Sequence, residues 1–599
     1  MPDANFDSSR SVPTPQAVPL AAYAHDRLRA EATEILAATG LVTRESVTLA
    51  LPKPSIPADL AFPVFAAAKA AGQNPGDFSQ RLADAAVVPE GMLIGAVTAQ
   101  GGFVNFAVHP AAFAAAVIEE VEAGGAAYGN DKIVGAGQKT VVEFSSPNIA
   151  RKMHVGHLRS TVIGHSLVKI LAALGYDVIS DNHLGDWGTQ FGTLLAAIDN
   201  DHLTPWDDPD PVQSLVEVYA RFNSAAKDDP TLMDSARAWF KRLEDGDPWA
   251  RQTWQRLIDL TLVEFDKTYR RLGVAFDTTH GESYFEPMLA PVVQEALDKK
   301  VAHIEPGGAV VVEFGEESRL PSCLLRKTDG ATLYQTRDAA TCLYRWREYA
   351  PVRNIYVVGA EQKLHFQQVF EIVRRMGYKE IADRSIHIAF GAIVDAGGQR
   401  FSMRKGTAIF LEEVLDEAVT RARALMQASM AEGRTEITPE EVDSVSEMLG
   451  IGAVIYADLY QGPERGIKFD WDKILANEGN TGAYLQYTHA RCRSILRKAL
   501  PAPGAETLLL VSPEEQAVLK QLSRLPHAIR EAGANFAPST VADWTYNLAK
   551  AFNDFYHSCP VLKAETSGLR EARLALVAAV AQGLKNGLGL LGIGAPERM

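Results

Sequence analysis

The chain has 599 residues, 47% hydrophobic and 22% charged, with a formal net charge of -15. Such a length exceeds what one hydrophobic core fills, so three or four domains are expected, and the ordinary polar balance excludes bulk disorder. Excess acid ordinarily argues against nucleic acid, but the overall sign misleads where basic side chains cluster, as in HARCRSILRKAL (His489 to Leu500), and no DNA partner is expected. The absence of any apolar run near the roughly 20 residues of a membrane span, or of a basic-then-apolar leader, predicts a soluble, cytoplasmic chain.

Residues 1–16 read as a frayed tail. From 17 to 130, Ala-rich helical stretches alternate with short apolar runs such as SVTLAL and GFVNFAV, which predicts a small α/β domain. GAAYGNDKIVGAGQK is then a glycine-punctuated linker. A second unit is expected over 138–410. It opens with the β-branched run TVVEF (Thr140 to Phe144), a turn rich in Ser, Pro and Asn, and a helical pattern from His154. YDVIS, NIYVVG and SIHIAF repeat the strand theme with helices between, predicting an α/β fold with a doubly wound parallel sheet of Rossmann type. Residues from about 200 to 350, mostly long helical pattern ending in a hairpin-like VVVEFGEES, read as an insertion splitting that sheet. Beyond Phe410 almost every segment has 3.6 periodicity, so a helical connector (411–475) and a terminal helical bundle (476–599) are expected.

EFSSPNIARKMHVGHLRSTVIG (Glu143 to Gly164) is the most informative stretch, because His154, Gly156 and His157 fall where a strand and turn feed a helix. A helix N-terminus presents unpaired N–H groups and a positive dipole end to a phosphate, and Gly156 permits close approach of a nucleotide. Two imidazoles three residues apart share a face and can donate to phosphate oxygens. Metal binding by the pair is a weaker reading, since no third ligand stands nearby in sequence. The four cysteines are likewise scattered without a CxxC, against a zinc site or a disulfide framework, so no metal ligands are assigned.

This stretch resembles the HIGH signature of class I aminoacyl-tRNA synthetases in the extended form of the arginyl family. GGQRFSMRKG (Gly397 to Gly406) resembles the family's KMSKS signature, with Arg400 in place of the first Lys and Met403 in place of the second. By its residues it is a glycine-bounded basic loop; alone, such a loop is more often merely solvated. The resemblance implies an ATP site of His154, Gly156, His157, Gly359, Arg400, Phe401 and Ser402, with Arg404 and Lys405 neutralising pyrophosphate. It also implies that Arg151 or Lys152, just before the histidines, compensates for the missing lysine; which cation acts stays open.

A guanidinium is a planar fork of five donors, best matched by carboxylates and a phenol. In LYQTRDAATCLYRW (Leu333 to Trp346), Tyr334 and Asp338 are four apart and share a face if helical. Similarity to arginyl synthetases implies that Glu143, Tyr334 and Asp338 hold the guanidinium, and that Ser146, Asn148, His157 and Gln362 hold the α-amino and carboxylate groups. Such a site rejects lysine by leaving buried acceptors unpaired, so no editing domain is required. His365 reads equally as a core histidine.

NTGAYLQYTHARCRSIL, FNDFYHSCPVL and the terminal LGLLGIGAPERM resemble the family's anticodon-binding domain, and DLAFPVFAAAKAAGQNP with GFVNFAV resembles its N-terminal tRNA-elbow domain. Tyr484, Tyr487, His489, Arg491, Phe555 and Met599 are the implied tRNA contacts, although aromatic stripes at helical spacing are by themselves more often core. The resemblance implies arginine–tRNA ligation with ATP, Mg²⁺ carried on the ATP, tRNA(Arg) and L-arginine as partners, activation that needs bound tRNA, and a monomer. Two alternatives stand beside it: a class I synthetase for another amino acid, and a catalytically silent tRNA-binding paralogue.

Overall fold

The structure is a computed structural model that describes residues 23–599 except 54, 395–409, 434, 469, 477, 502 and 503. The expected tail 1–16 and the loop 397–406 fall outside the described residues.

The N-terminal domain packs α1 (Ala24–Ala38) and α2 (Pro110–Gly124) on an antiparallel sheet of β1 (Leu60–Pro63), β2 (Ile94–Gln100) and β3 (Phe103–Val108), in the order β1-β3-β2. Phe62, Phe106 and Phe113 are at most 2% exposed and fill its core. It is tied to the C-terminal bundle by Tyr128, whose hydroxyl donates to the Leu522 carbonyl at 3.0 Å, and by Arg530, which pairs with Asp26 and Asp131.

β4 (Lys139–Glu143), β5 (Asp177–Asp181), β9 (Arg353–Gly359) and β10 (Ser385–Phe390) form a sheet in the order β10-β9-β4-β5, and every pairing is parallel. β4 is buried from Thr140 to Glu143, as a central parallel strand covered on both faces must be. Its partners in register are Asp181 and Tyr356 opposite Glu143, so the polar ends of neighbouring strands meet at one edge. α3 (Val155–Ala173) crosses from β4 to β5. It lies so close to β4 that a Cβ on Gly164 would stand 2.2 Å from Phe144 Cβ.

Between β5 and β9 the chain builds α4 (Thr189–Asn200), the long α5 (Pro248–Leu272) and α6 (Glu282–Asp298). α5 starts at Asp247, whose carboxylate accepts from the Trp249 and Ala250 N–H groups, and stops at left-handed Gly273. A small antiparallel sheet follows, of β6 (His303–Ile304), β7 (Val310–Val312) and β8 (Cys323–Arg326); α7 (Tyr334–Tyr349) then returns the chain to β9. The hairpin-like VVVEFGEES supplies the middle strand, Val310–Val312, and the start of the turn that leads to its antiparallel partner β8.

α8 (Lys363–Arg375) lies between β9 and β10; after β10, β11 (Ile393–Val394) pairs in parallel with β12 (Ile467–Lys468), which follows α9 (Val442–Leu459) in the helical part. α10 (Gly482–Lys498), α11 (Pro538–Ser558) and α12 (Ser567–Leu590) form the terminal bundle. The last residues fold back on α10, with Gln486 donating to the Gly594 carbonyl at 2.9 Å and Met599 packed against the Ala422, Met426 and Leu449 cluster. Among the described residues, no helix is long and apolar enough to cross a membrane, and all four cysteines are free and buried.

Candidate active site

The carboxyl ends of β4, β9 and β10 open into one cavity of about 910 Å³. Its first wall is the turn after β4, where Ser145, Ser146 and Ala150 all hold positive φ (71°, 48° and 59°) without being glycine. Such strain survives only where surroundings over-determine it. Here the Ser145 N–H donates to Ser160 Oγ at 2.9 Å, its hydroxyl meets Tyr269 at 2.8 Å, and the Ser146 N–H donates to Asn182 at 3.1 Å. The turn thereby aims Ser146 Oγ inward, buried and without a partner.

His154 caps α3 and His157 sits one turn in. The Gly156 N–H donates to His154 Nδ1 and the His154 N–H donates to His157 Nδ1, each at 3.0 Å. Both Nδ1 atoms accept, so the ring protons belong on Nε2, leaving two neutral N–H donors with centroids 4.0 Å apart. Burial, aided by His154, pushes the His157 imidazole down to about 3; burial and Arg151 lower His154. Neutral donors at a helix N-terminus suit oxygens whose negative charge grows during reaction. Gly156 is required by the cap, since a Cβ there would stand 2.7 Å from the His154 ring.

The opposite wall is α7 with the start of α6. Tyr334 and Asp338 both line the cavity, Tyr334 being 63% exposed, and Asp338 bonds His365 Nε2. His365 is therefore a partner of a cavity carboxylate, half-buried beside Phe366, and not a purely apolar core residue. Glu143 also lines the cavity; its Oε2 accepts from Arg345 at 2.6 Å, which leaves Oε1 as its less engaged oxygen. Burial raises Glu143, with Arg345 opposing, while the Arg345 charge and the Thr278 hydroxyl overcome burial at Asp181 and lower it.

Of the sequence-derived residues, Glu143, Ser146, Asn148, Arg151, His154, Gly156, His157, Tyr334, Asp338, Gly359 and Gln362 share this one cavity. Lys152 does not. It is held by Asp210 at 2.5 Å, beside Phe410, in an adjoining pocket lined also by Arg151, His154 and His157. Arg400, Phe401, Ser402, Arg404 and Lys405 lie outside the described residues. Glu143, Asp181 and His183 bring ligand atoms within 4.8 Å of one another, as a metal would ask, but Arg345 already sits on both carboxylates.

Residues 124–471 match the family description "tRNA synthetases class I (R), catalytic domain", residues 485–599 "DALR anticodon binding domain" and residues 26–108 "Arginyl tRNA synthetase N terminal domain". The chain belongs to the arginyl-tRNA synthetase family. An arginine–tRNA ligase of Chloroflexus aggregans is 49% identical over 582 residues, 96% of this chain and all of the relative. One of Clostridium perfringens is 41% identical over 556 residues, 92% of this chain and 95% of the relative. The solved Thermus thermophilus arginyl-tRNA synthetase superposes with a TM-score of 0.78 at 26% identity, covering 96% of this chain and all of that one.

Sequence reasoning missed Glu282, Arg159 and His183, which line the same cavity. Glu282 opens α6 and is pushed up to about 7 by burial, with Arg337 opposing at 3.4 Å. An acid at a helix start is too common to single out. The run DNHLGDWG after β5 was a legible signal for His183, since polar residues crowd a strand's carboxyl end there. At the bundle, His489 and Phe555 are corrected: they are 1% and 0% exposed, His489 donating from Nδ1 to the Pro596 carbonyl and Phe555 packed in the core, so neither offers a face to a base. Met599 is spent on the apolar cluster under α10, and Tyr484 accepts from Asn553. What remains accessible is Tyr487 and Tyr556, each 40% exposed, with the Arg491 guanidinium 4.7 and 5.3 Å from their rings.

Proposed function

We propose that the chain activates L-arginine with ATP to arginyl-adenylate and transfers arginine to the 3′-terminal ribose of tRNA(Arg), releasing pyrophosphate and AMP. The observation that carries this reading is a single cavity holding two neutral imidazole donors at one end and Tyr334, Asp338 and Glu282 at the other.

In the proposed reaction the arginine carboxylate attacks the α-phosphorus in line and pyrophosphate leaves; the tRNA ribose hydroxyl then attacks the activated carbonyl and AMP leaves. No side chain forms a covalent bond. Positioning and charge stabilisation carry the rate: His154 and His157 donate to phosphate oxygens, Arg151 supplies fixed positive charge, and Ser146, Asn148 and Gln362 hold the amino-acid backbone groups. Asp338, Glu282 and the less engaged oxygen of Glu143 accept the guanidinium donors, with the Tyr334 phenol alongside. Because Arg345 already occupies an oxygen of both Glu143 and Asp181, the Glu143, Asp181 and His183 cluster does not fit a resident metal. Mg²⁺ is proposed to arrive on the ATP phosphates, and no step is assigned to it.

The Tyr487, Arg491 and Tyr556 group is the proposed stacking face for unpaired anticodon bases, in a monomer working in the cytoplasm. Charging of total tRNA with labelled arginine tests the reading: arginine is expected on tRNA, and tight tRNA binding without charging would favour a silent paralogue.

A further inference from the structure

One helix carries both poles of the amino-acid end of the cavity. Tyr334, Asp338 and Arg345 of α7 are spaced four and seven residues apart, which sets them along one face. Arg345 is 1% exposed, and its Nη2 donates to Glu143 Oε2 at 2.6 Å and to Asp181 Oδ2 at 2.5 Å. Those two carboxylates are register partners at the ends of β4 and β5. The guanidinium also lies 5.2 Å from the Tyr356 ring, and its Nη1 is buried with no partner. The same guanidinium occupies one oxygen of a carboxylate that faces the substrate cavity.

We infer that Arg345 is a positioning residue for arginine selection, an internal guanidinium that the substrate's own guanidinium must sit beside. By taking Glu143 Oε2 and Asp181, it leaves Oε1 as the less engaged Glu143 oxygen toward the ligand. It also fixes α7 against the sheet, and so fixes Tyr334 and Asp338 against Glu143 and Ser146. Without it, two neighbouring buried carboxylates lack a counter-ion and would share a proton or draw in any cation that fits. A proton shared between them leaves Glu143 a weaker acceptor and unfastens α7 from the sheet, so the substrate guanidinium loses affinity. The inference rests on the arginine reading above and concerns a residue that does not itself touch the substrate.

The test uses the full-length chain with tRNA present and compares wild type, Arg345→Met, Arg345→Lys and Arg345→Ala for KM of arginine, KM of ATP, kcat and melting temperature. Failure of the wild type to charge arginine would refute the underlying reading, not this inference. With a wild type that charges, Arg345→Met is expected to raise the arginine KM by about tenfold or more while the ATP KM stays within about twofold. Arg345→Lys is expected to recover part of that loss. Free guanidinium at millimolar concentration is expected to lower the arginine KM of Arg345→Ala, whose truncated side chain leaves the place open, whereas in wild type it only competes. Arginine and ATP KM rising together, or an unchanged arginine KM in a folded variant, would overturn the inference. Should Arg345→Met not fold, Arg345→Lys decides on the same split; if that also does not fold, Arg345 is a strut and the inference is overturned.

Discussion

Glu282 gives the most quantitative consequence of the site. Burial raises its carboxyl to about 7 in the unliganded chain, with Arg337 and His183 opposing and Asp338 and Asp186 adding to the rise. A raised folded pKa means the empty pocket prefers the protonated acid, yet a guanidinium binds the carboxylate. Arginine binding must therefore expel a proton, and affinity must increase as pH rises through the folded pKa. At pH 6 about nine-tenths of the empty enzyme is protonated at this site and at pH 8 about one-tenth, so the arginine KM should fall about tenfold between them. Glu282→Gln, a fixed neutral stand-in for the acid, should flatten that profile. It should also sit at or above the wild-type value at low pH, since a charge-assisted hydrogen bond is worth about 1.5–3 kcal/mol. The assay is ATP–pyrophosphate exchange with tRNA present, arginine varied and ATP saturating. An arginine KM constant from pH 6 to 8 in wild type, or an equally steep profile in Glu282→Gln, would refute the assignment of Glu282 to the guanidinium.

Further outcomes follow from the same geometry. His154→Ala should lower turnover about 100-fold while costing only the helix cap, about 1 kcal/mol of stability, and near-normal aminoacylation would remove the histidine from the mechanism. Gly164→Ala sets a methyl 2.2 Å from Phe144 Cβ, so a loss of about 1–3 kcal/mol in denaturant stability is expected; an unchanged midpoint would contradict the close approach. Phe555→Ala should cost about 3–5 kcal/mol of stability, because the ring is wholly buried. Tyr556→Ala should instead keep the melting temperature and raise the KM for tRNA, and the reverse pattern would exchange their roles. Asp458→Asn removes the carboxylate that pairs with buried Arg159 at 3.2 Å, so melting should drop by the equivalent of about 3–5 kcal/mol.

The parts of this site that sequence makes legible are local ones. The strand, strained turn and histidine-capped helix span Glu143 to Gly164, and their chemistry is set by neighbours a few residues away. Tyr334 and Asp338 could be paired by helical spacing alone, and the parallel sheet followed from its alternating elements. Arg345 and Glu282 were hidden because their significance comes from long-range partners: Arg345 reaches Glu143 across 202 positions, and Glu282 gains its raised pKa only from burial in the fold. At the bundle, helical periodicity describes a core stripe and an RNA-facing stripe identically. His489 and Phe555 therefore looked like Tyr487 and Tyr556 until burial separated them.

The central claim is that this cavity selects a fork-shaped cation beside bound ATP. ATP–pyrophosphate exchange in the presence of total tRNA, run separately with each of the common amino acids, tests it most directly. Exchange with arginine and not with lysine, cysteine or glutamine is the predicted result, and exchange driven by any amino acid other than arginine would contradict it.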